Sequence, residues 1–101
     1  MAYVTVQFVR EITGLTDVDA DDAKITDLIE TAEAIVDYET GKSWSESDEG
    51  FKLIQLATAK LVGWLIFRSL AGAEQKADKF KEEAYELIEK LKDKSELFLR
   101  G

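Results

Sequence analysis

Asp17, Asp19 and Asp21 alternate along the stretch TDVDADD, the spacing of the first three ligands of a calcium-binding loop. Such a loop turns on glycine at its sixth position and closes on a bidentate glutamate at its twelfth. Counted from Asp17, those positions hold Asp22 and Leu28, so the oxygen cage would lack both its turn and its main ligand. Gly41-Lys42-Ser43 has the ending of a phosphate-binding loop, but the first glycine of that motif would have to stand at Val36. A helical pattern also precedes it, where the motif needs a strand. The glutamates of the last third could ligate paired metals, yet helical bundles that do so use a Glu-x-x-His pair. This chain has no histidine and no cysteine, which removes the commonest general base, the thiolate nucleophile, sulfur metal sites and disulfides. An active centre would have to work with carboxylates, lysine, tyrosine or serine alone. The expectation is a protein without catalytic, cofactor or metal residues, whose function lies in its surfaces.

Charge distribution says more about those surfaces than the net −8 of the 101 residues. Residues 11 to 50 carry thirteen acids against Lys24 and Lys42, a balance of −11, whereas residues 51 to 101 carry ten basic and eight acidic side chains, a balance of +2. Nucleic-acid binding needs a basic patch that displaces counterions from phosphates, and the first half has none. An acidic half is either a solvated face or a surface that repels a polyanion and meets a basic partner.

The helices that position these charges are legible from apolar spacing. Thr5 is placed to cap a first helix through Thr13, with Val6, Val9 and Ile12 on one face and Phe8 beside them; Gly14 ends it and Leu15 closes the cap. Asp19, with Asp22 three residues on, is the expected cap of a second helix that runs to Thr40 and stops at Gly41. Its stripe is Ile25, Leu28, Ile29, Ala32, Ile35 and Val36, which leaves Asp27, Glu30, Glu33 and Asp37 as a continuous acidic face. In the polar loop from Lys42 to Gly50, Ser45 or Ser47 could cap the next helix, and Trp44 either folds back on the core edge or anchors an interface.

Phe51 to Leu70, FKLIQLATAKLVGWLIFRSL, is apolar on all sides, the mark of a buried central helix. Lys52, Gln55, Lys60 and Arg68 interrupt it, so it is no membrane span. Gly63 inside it costs about 1 kcal/mol relative to alanine and signals close approach of a neighbouring helix. A turn at Gly72 leads to a long amphipathic helix from Glu74 to about Leu97, with Ala77, Phe80, Ala84, Leu87, Ile88 and Leu91 inward and Glu86–Lys90 and Glu89–Lys92 as ion pairs. Leu97, Phe98 and Leu99 then form an apolar run, and residues 97 to 101 are a candidate docking tail. The fold class expected is all-α: one domain, a small four-helix bundle around Phe51 to Leu70. The amino terminus lacks the basic segment and long apolar run of a secretory signal, so the expectation is a protein that stays in the cytoplasm where it is made.

Val9 to Thr16, ending in Gly-Leu-Thr, also has the outline of a helix-turn-helix entering its recognition helix. Such a helix would here open on Asp17, Asp19, Asp21 and Asp22, carboxylates that phosphates repel. The same residues fit another pattern. YVTVQFVREITGL, then an acidic turn, then ITDLIETAEAIVDYETGKSW, then an apolar helix with LATAKLVGWLIF, resembles the small head-tail connector (adaptor) proteins of tailed phages and prophages. The likeness spans nearly the whole chain in order. It rests on Thr13-Gly14-Leu15 after the opening helix, on Thr40-Gly41-Lys42 to Trp44 after the second, and on the alanine-bearing third.

That resemblance implies a non-enzymatic helical subunit of the virion's head-tail interface, assembled as a ring of roughly a dozen copies below the portal, with DNA passing through. Its implied partners are further copies of itself, the portal and the tail-side stopper or completion proteins, with no sequence-specific nucleic acid and no membrane. An acidic face would let the polyanion slide, and the apolar residues Leu97 to Leu99 would attach to the portal or the adjacent subunit. The alternative from the residues alone is a small dimeric helical interaction module, a regulatory adaptor or antitoxin-like protein, with one symmetric patch.

Overall fold

The computed structural model describes residues 2–100, with side chains as far as Lys92. It is all-α: α1 (Val6–Thr13), α2 (Asp22–Thr40), α3 (Phe51–Phe67) and α4 (Glu74–Arg100). Helix α3 lies at the centre and meets each of the other three, most extensively α4. Ile54, Ala57, Thr58, Ala59, Leu61, Val62, Gly63 and Ile66 are buried along it, and a stripe through Leu53, Leu56, Lys60 and Trp64 is left half-exposed. At roughly 1.5–3 kcal/mol for each large apolar side chain removed from water, this helix is the main source of hydrophobic stabilisation.

Each helix end has a local cause. Thr5 Oγ1 accepts from Phe8 N at 3.1 Å to open α1. Gly14, at φ 77°, closes it by donating its N–H to Arg10 O. Helix α2 is capped by Asp21, whose carboxylate accepts from Lys24 N at 2.9 Å, not by the expected Asp19. Asp19 is already used: its Oδ2 accepts from Thr16 N at 3.0 Å, and Thr16 Oγ1 accepts from Asp19 N at 3.3 Å. That reciprocal turn leaves the next free carboxylate to cap the helix.

Two further expectations are corrected. Neither Ser45 nor Ser47 caps α3; their hydroxyls pair with each other at 3.0 Å. The chain instead swings through Gly50 at φ 89°, and Phe51 N donates to Asp48 O. The central helix also ends at Phe67 and not at Leu70. Ser69 N and Leu70 N turn back to donate to Ile66 O and Phe67 O, and Ser69 Oγ donates to Ile66 O at 2.7 Å, which tightens the chain out of the α-helical register.

Gly63 marks a close approach of helices, as its position inside an apolar helix predicts. A Cβ there would lie 2.8 Å from Thr13 Cγ2 on α1 and 3.2 Å from Phe80 Cδ2 on α4. In α4, Ala77, Ala84, Ile88 and Leu91 are buried and Phe80 and Leu87 half-buried, the expected stripe. Of the expected ion pairs, Glu89 and Lys92 meet at 3.4 Å, while Glu86–Lys90 is not among those formed by the described residues. Among the described residues no helix is long and apolar enough to cross a membrane.

Candidate functional site

The acidic face of α2 divides in two. Asp27 and Glu30 are exposed, but Glu33 and Asp37 are half-buried under the segment that precedes α1. Tyr3 holds that segment down. Its backbone N donates to Glu33 Oε2, its hydroxyl donates to Asp37 Oδ1 at 2.5 Å, and its Oη accepts from Trp44 N at 3.0 Å. Gln55 Nε2 donates to Tyr3 O at 3.0 Å, and the ring meets Phe51 edge-on at 5.8 Å. Burial, with the Asp37 bond next, pushes the phenol up to about 12. The continuous negative ridge is therefore cut by a strap of non-helical chain, which helical spacing has no means of revealing. Outward along α2 are Lys24, Asp27, Glu30, Thr31, Ala34 and Tyr38, the last 85% exposed.

Trp44 is on the core edge and not at the surface. It is 6% exposed, with Nε1 donating to Thr40 Oγ1 at 2.9 Å, so of the two expected places it takes the core edge, and burial removes it as an interface anchor on this surface. Lys42 covers its ring at 4.4 Å and pairs with Asp48 at 3.2 Å. Asp48 organises the loop: Ser45 N–H first, then Lys42, holds its carboxyl below the ordinary range. The Gly-Lys-Ser sequence thus serves as a helix stop, with Gly41 at φ 77°. The three alternating aspartates take separate tasks: Asp17 pairs with Arg10 at 3.1 Å, Asp19 closes its turn and Asp21 caps α2. Arg10 also donates to Ala20 O at 3.0 Å and pairs with Asp22 at 2.8 Å, so it gathers the acidic turn onto α1. Among the described residues no group of carboxylates is placed to hold a metal ion.

A second surface, not singled out from the sequence, forms where α3 turns into α4. Trp64 is half-buried, and its ring is flanked by Arg68 Cζ at 4.9 Å and Lys81 Nζ at 5.1 Å. Lys76 Nζ lies 4.8 Å from the centre of Phe67, which stacks on Phe80 at 5.9 Å. Lys60 covers Phe80 at 5.6 Å and pairs with Glu83 at 2.8 Å, which holds the Glu83 carboxyl below the ordinary range. Trp64 and Arg68 stand four apart, a spacing that places them together on a helix. Their partner Lys81 arrives only through the hairpin.

The far end is tied differently. Lys92 lies between Glu39 of α2 at 3.3 Å and Glu89, and the Glu39 bond raises its pKa. The side chains of Leu97, Phe98 and Leu99, the expected docking tail, lie outside the described residues. A groove lined by Thr5, Val6, Gln7, Arg10, Glu11 and Asp22 is an open surface feature.

These features define a small all-α protein with an acidic face on one helix and a cation–aromatic corner on a hairpin. Comparison of the chain with protein-family models, curated proteins and solved structures finds no match.

Proposed function

We propose that this chain is a structural, non-enzymatic subunit of a head-tail connector of a tailed phage or prophage. In this reading it assembles in the virion as a ring below the portal, contacts the portal and the tail-side stopper or completion proteins, and lets DNA pass through its centre. The observation that carries the proposal is that the landmarks of the resemblance coincide with the junctions of the fold. Thr13-Gly14-Leu15 closes α1 with a left-handed glycine, Thr40-Gly41-Lys42 closes α2 with Trp44 folded back, and LATAKLVGWLIF forms the central helix. Two chemically different surfaces on one subunit are also what a ring requires, because a head-to-tail contact joins unlike patches. Asp27 and Glu30 on an outward face suit a channel wall that must not hold a polyanion.

The test is native mass spectrometry across a wide concentration range, alone and mixed with a portal protein. A closed species of roughly a dozen copies, alone or on the portal, is the expected result. A discrete dimer indifferent to the portal refutes it and makes the chain a dimeric interaction module.

A further inference from the structure

We propose that the corner built on Trp64, Arg68 and Lys81 is a docking surface whose occupant is the outer face of α2 of a second copy of this chain. The inference deepens the ring reading by naming the two faces that meet, and it rests on that reading only for closure.

The corner presents cations that are not tied up in ion pairs. Arg68, Lys76 and Lys81 form no ion pair among the described residues and lie over the faces of Trp64 and Phe67. Such stacking holds the charges in place and leaves their outer sides open. Tryptophan and arginine are the residue types most often found at the energetic centre of protein contacts. Aside from Lys42 over Trp44, every cation–ring pair of the described residues is at this one place.

The occupant must be acidic, of limited extent, and able to bury an aromatic edge. The outer face of α2 has those properties. Asp27, Glu30, Ala34 and Tyr38 recur at helical spacing on one stripe, and neither Asp27 nor Glu30 has a hydrogen-bond or ion-pair partner among the described residues. Tyr38 is the most exposed aromatic side chain described. Exposed Glu74, Asp78 and Glu82 in the same turn region limit the acidic surface that can dock: two carboxylates can reach Arg68 and Lys81, whereas a continuous phosphate track would run into these acids.

The two faces do not meet within one subunit: neither Asp27 nor Glu30 pairs with Arg68, Lys76 or Lys81. Unlike patches on one subunit give a heterologous contact, which closes as a ring or propagates as a filament.

The test uses two double variants of exposed residues, Arg68→Glu with Lys81→Glu for the corner and Asp27→Lys with Glu30→Lys for α2, read by sedimentation velocity at low and high salt. Wild type should associate, less so at high salt, and each double variant should raise the dissociation constant about tenfold or more. An equimolar mixture of the two should associate again, through the native pairing at one contact and the charge-reversed pairing at the next. The protein carrying all four reversals should associate again. Circular dichroism checks that each variant folds. Unchanged association in either variant overturns the pairing of these faces while leaving the connector reading standing. A wild type that stays monomeric at every concentration and salt overturns the second-copy occupant. Loss of binding to a DNA duplex in the corner variant, with self-association intact, makes the occupant nucleic acid and also refutes the proposal. Salt-sensitive open chains with no closed species, alone or on the portal, keep the contact and remove the connector reading.

Discussion

Gly63→Ala is the sharpest probe of how this bundle is held together, because two effects of opposite sign act at one atom. In a helix interior, alanine is favoured over glycine by about 1 kcal/mol. The added Cβ, however, would stand 2.8 Å from Thr13 Cγ2 and 3.2 Å from the Phe80 ring. Neither neighbour yields easily. Thr13 is 3% exposed and its rotamer is set by the bond of Oγ1 to Val9 O at 2.7 Å, so the methyl cannot swing away without losing that bond. Phe80 is fixed by its stack on Phe67. Helix α1 would have to move outward, and overpacking of this kind costs roughly 1–3 kcal/mol. The net expectation is destabilisation of about 1 kcal/mol, or roughly 4–8 °C in Tm for a domain of this size. Thr13→Ser keeps the bond to Val9 and removes the obstructing methyl. In that background Gly63→Ala should be neutral or stabilising, with a favourable coupling of about 1 kcal/mol or more in the double-mutant cycle. Urea denaturation of the four proteins reads all the terms. Stabilisation by Gly63→Ala alone, or an additive double mutant, would refute the claim that Thr13 and Gly63 are in limiting contact.

Two further perturbations test the links around α2 and its acidic turn. Tyr3→Phe removes the hydroxyl shared by Asp37 and Trp44 N, and should cost about 1–3 kcal/mol in urea unfolding because both partners are left half-buried and unmatched. The Tyr3 phenol is raised in the folded state, so its stabilisation is complete below the ordinary value of 10 and is lost as pH climbs through about 12. Wild type should lose stability over that interval, and the variant should lack that component. Arg10→Ala should cost about 1–2 kcal/mol, mainly through the unmet Ala20 carbonyl, since Asp17 and Asp22 are largely exposed. Amide exchange should rise at residues 16 to 21, and unchanged protection there would show that Arg10 does not gather the turn.

Local signals along the chain were sufficient for the helices and most of their ends. Thr5, Gly14, Gly41 and Gly72 act on their immediate neighbours, so their roles follow from composition and spacing. The all-round apolar character of α3 required a buried centre, and Gly63 announced a close crossing before any neighbour was known. Even so, competition between nearby groups shifted the details. Asp19 was claimed by Thr16 before it could cap α2, and Ser69 bent the last turn of α3.

Only tertiary structure decided which surfaces are free. Four acids at helical spacing predict one face of α2, yet Tyr3, thirty or more residues away, covers two of them. A tryptophan between serines is compatible with core or interface, and the choice depends on whether Thr40 Oγ1 and the Tyr3 hydroxyl are within reach. Trp64 belongs to a helix that reads as core throughout; it becomes part of a basic corner because the hairpin returns Lys81 to its ring. Helical periodicity records which residues share a side of their own helix. Exposure depends on what the rest of the chain lays over that side, and that is a property of contacts between residues distant in sequence.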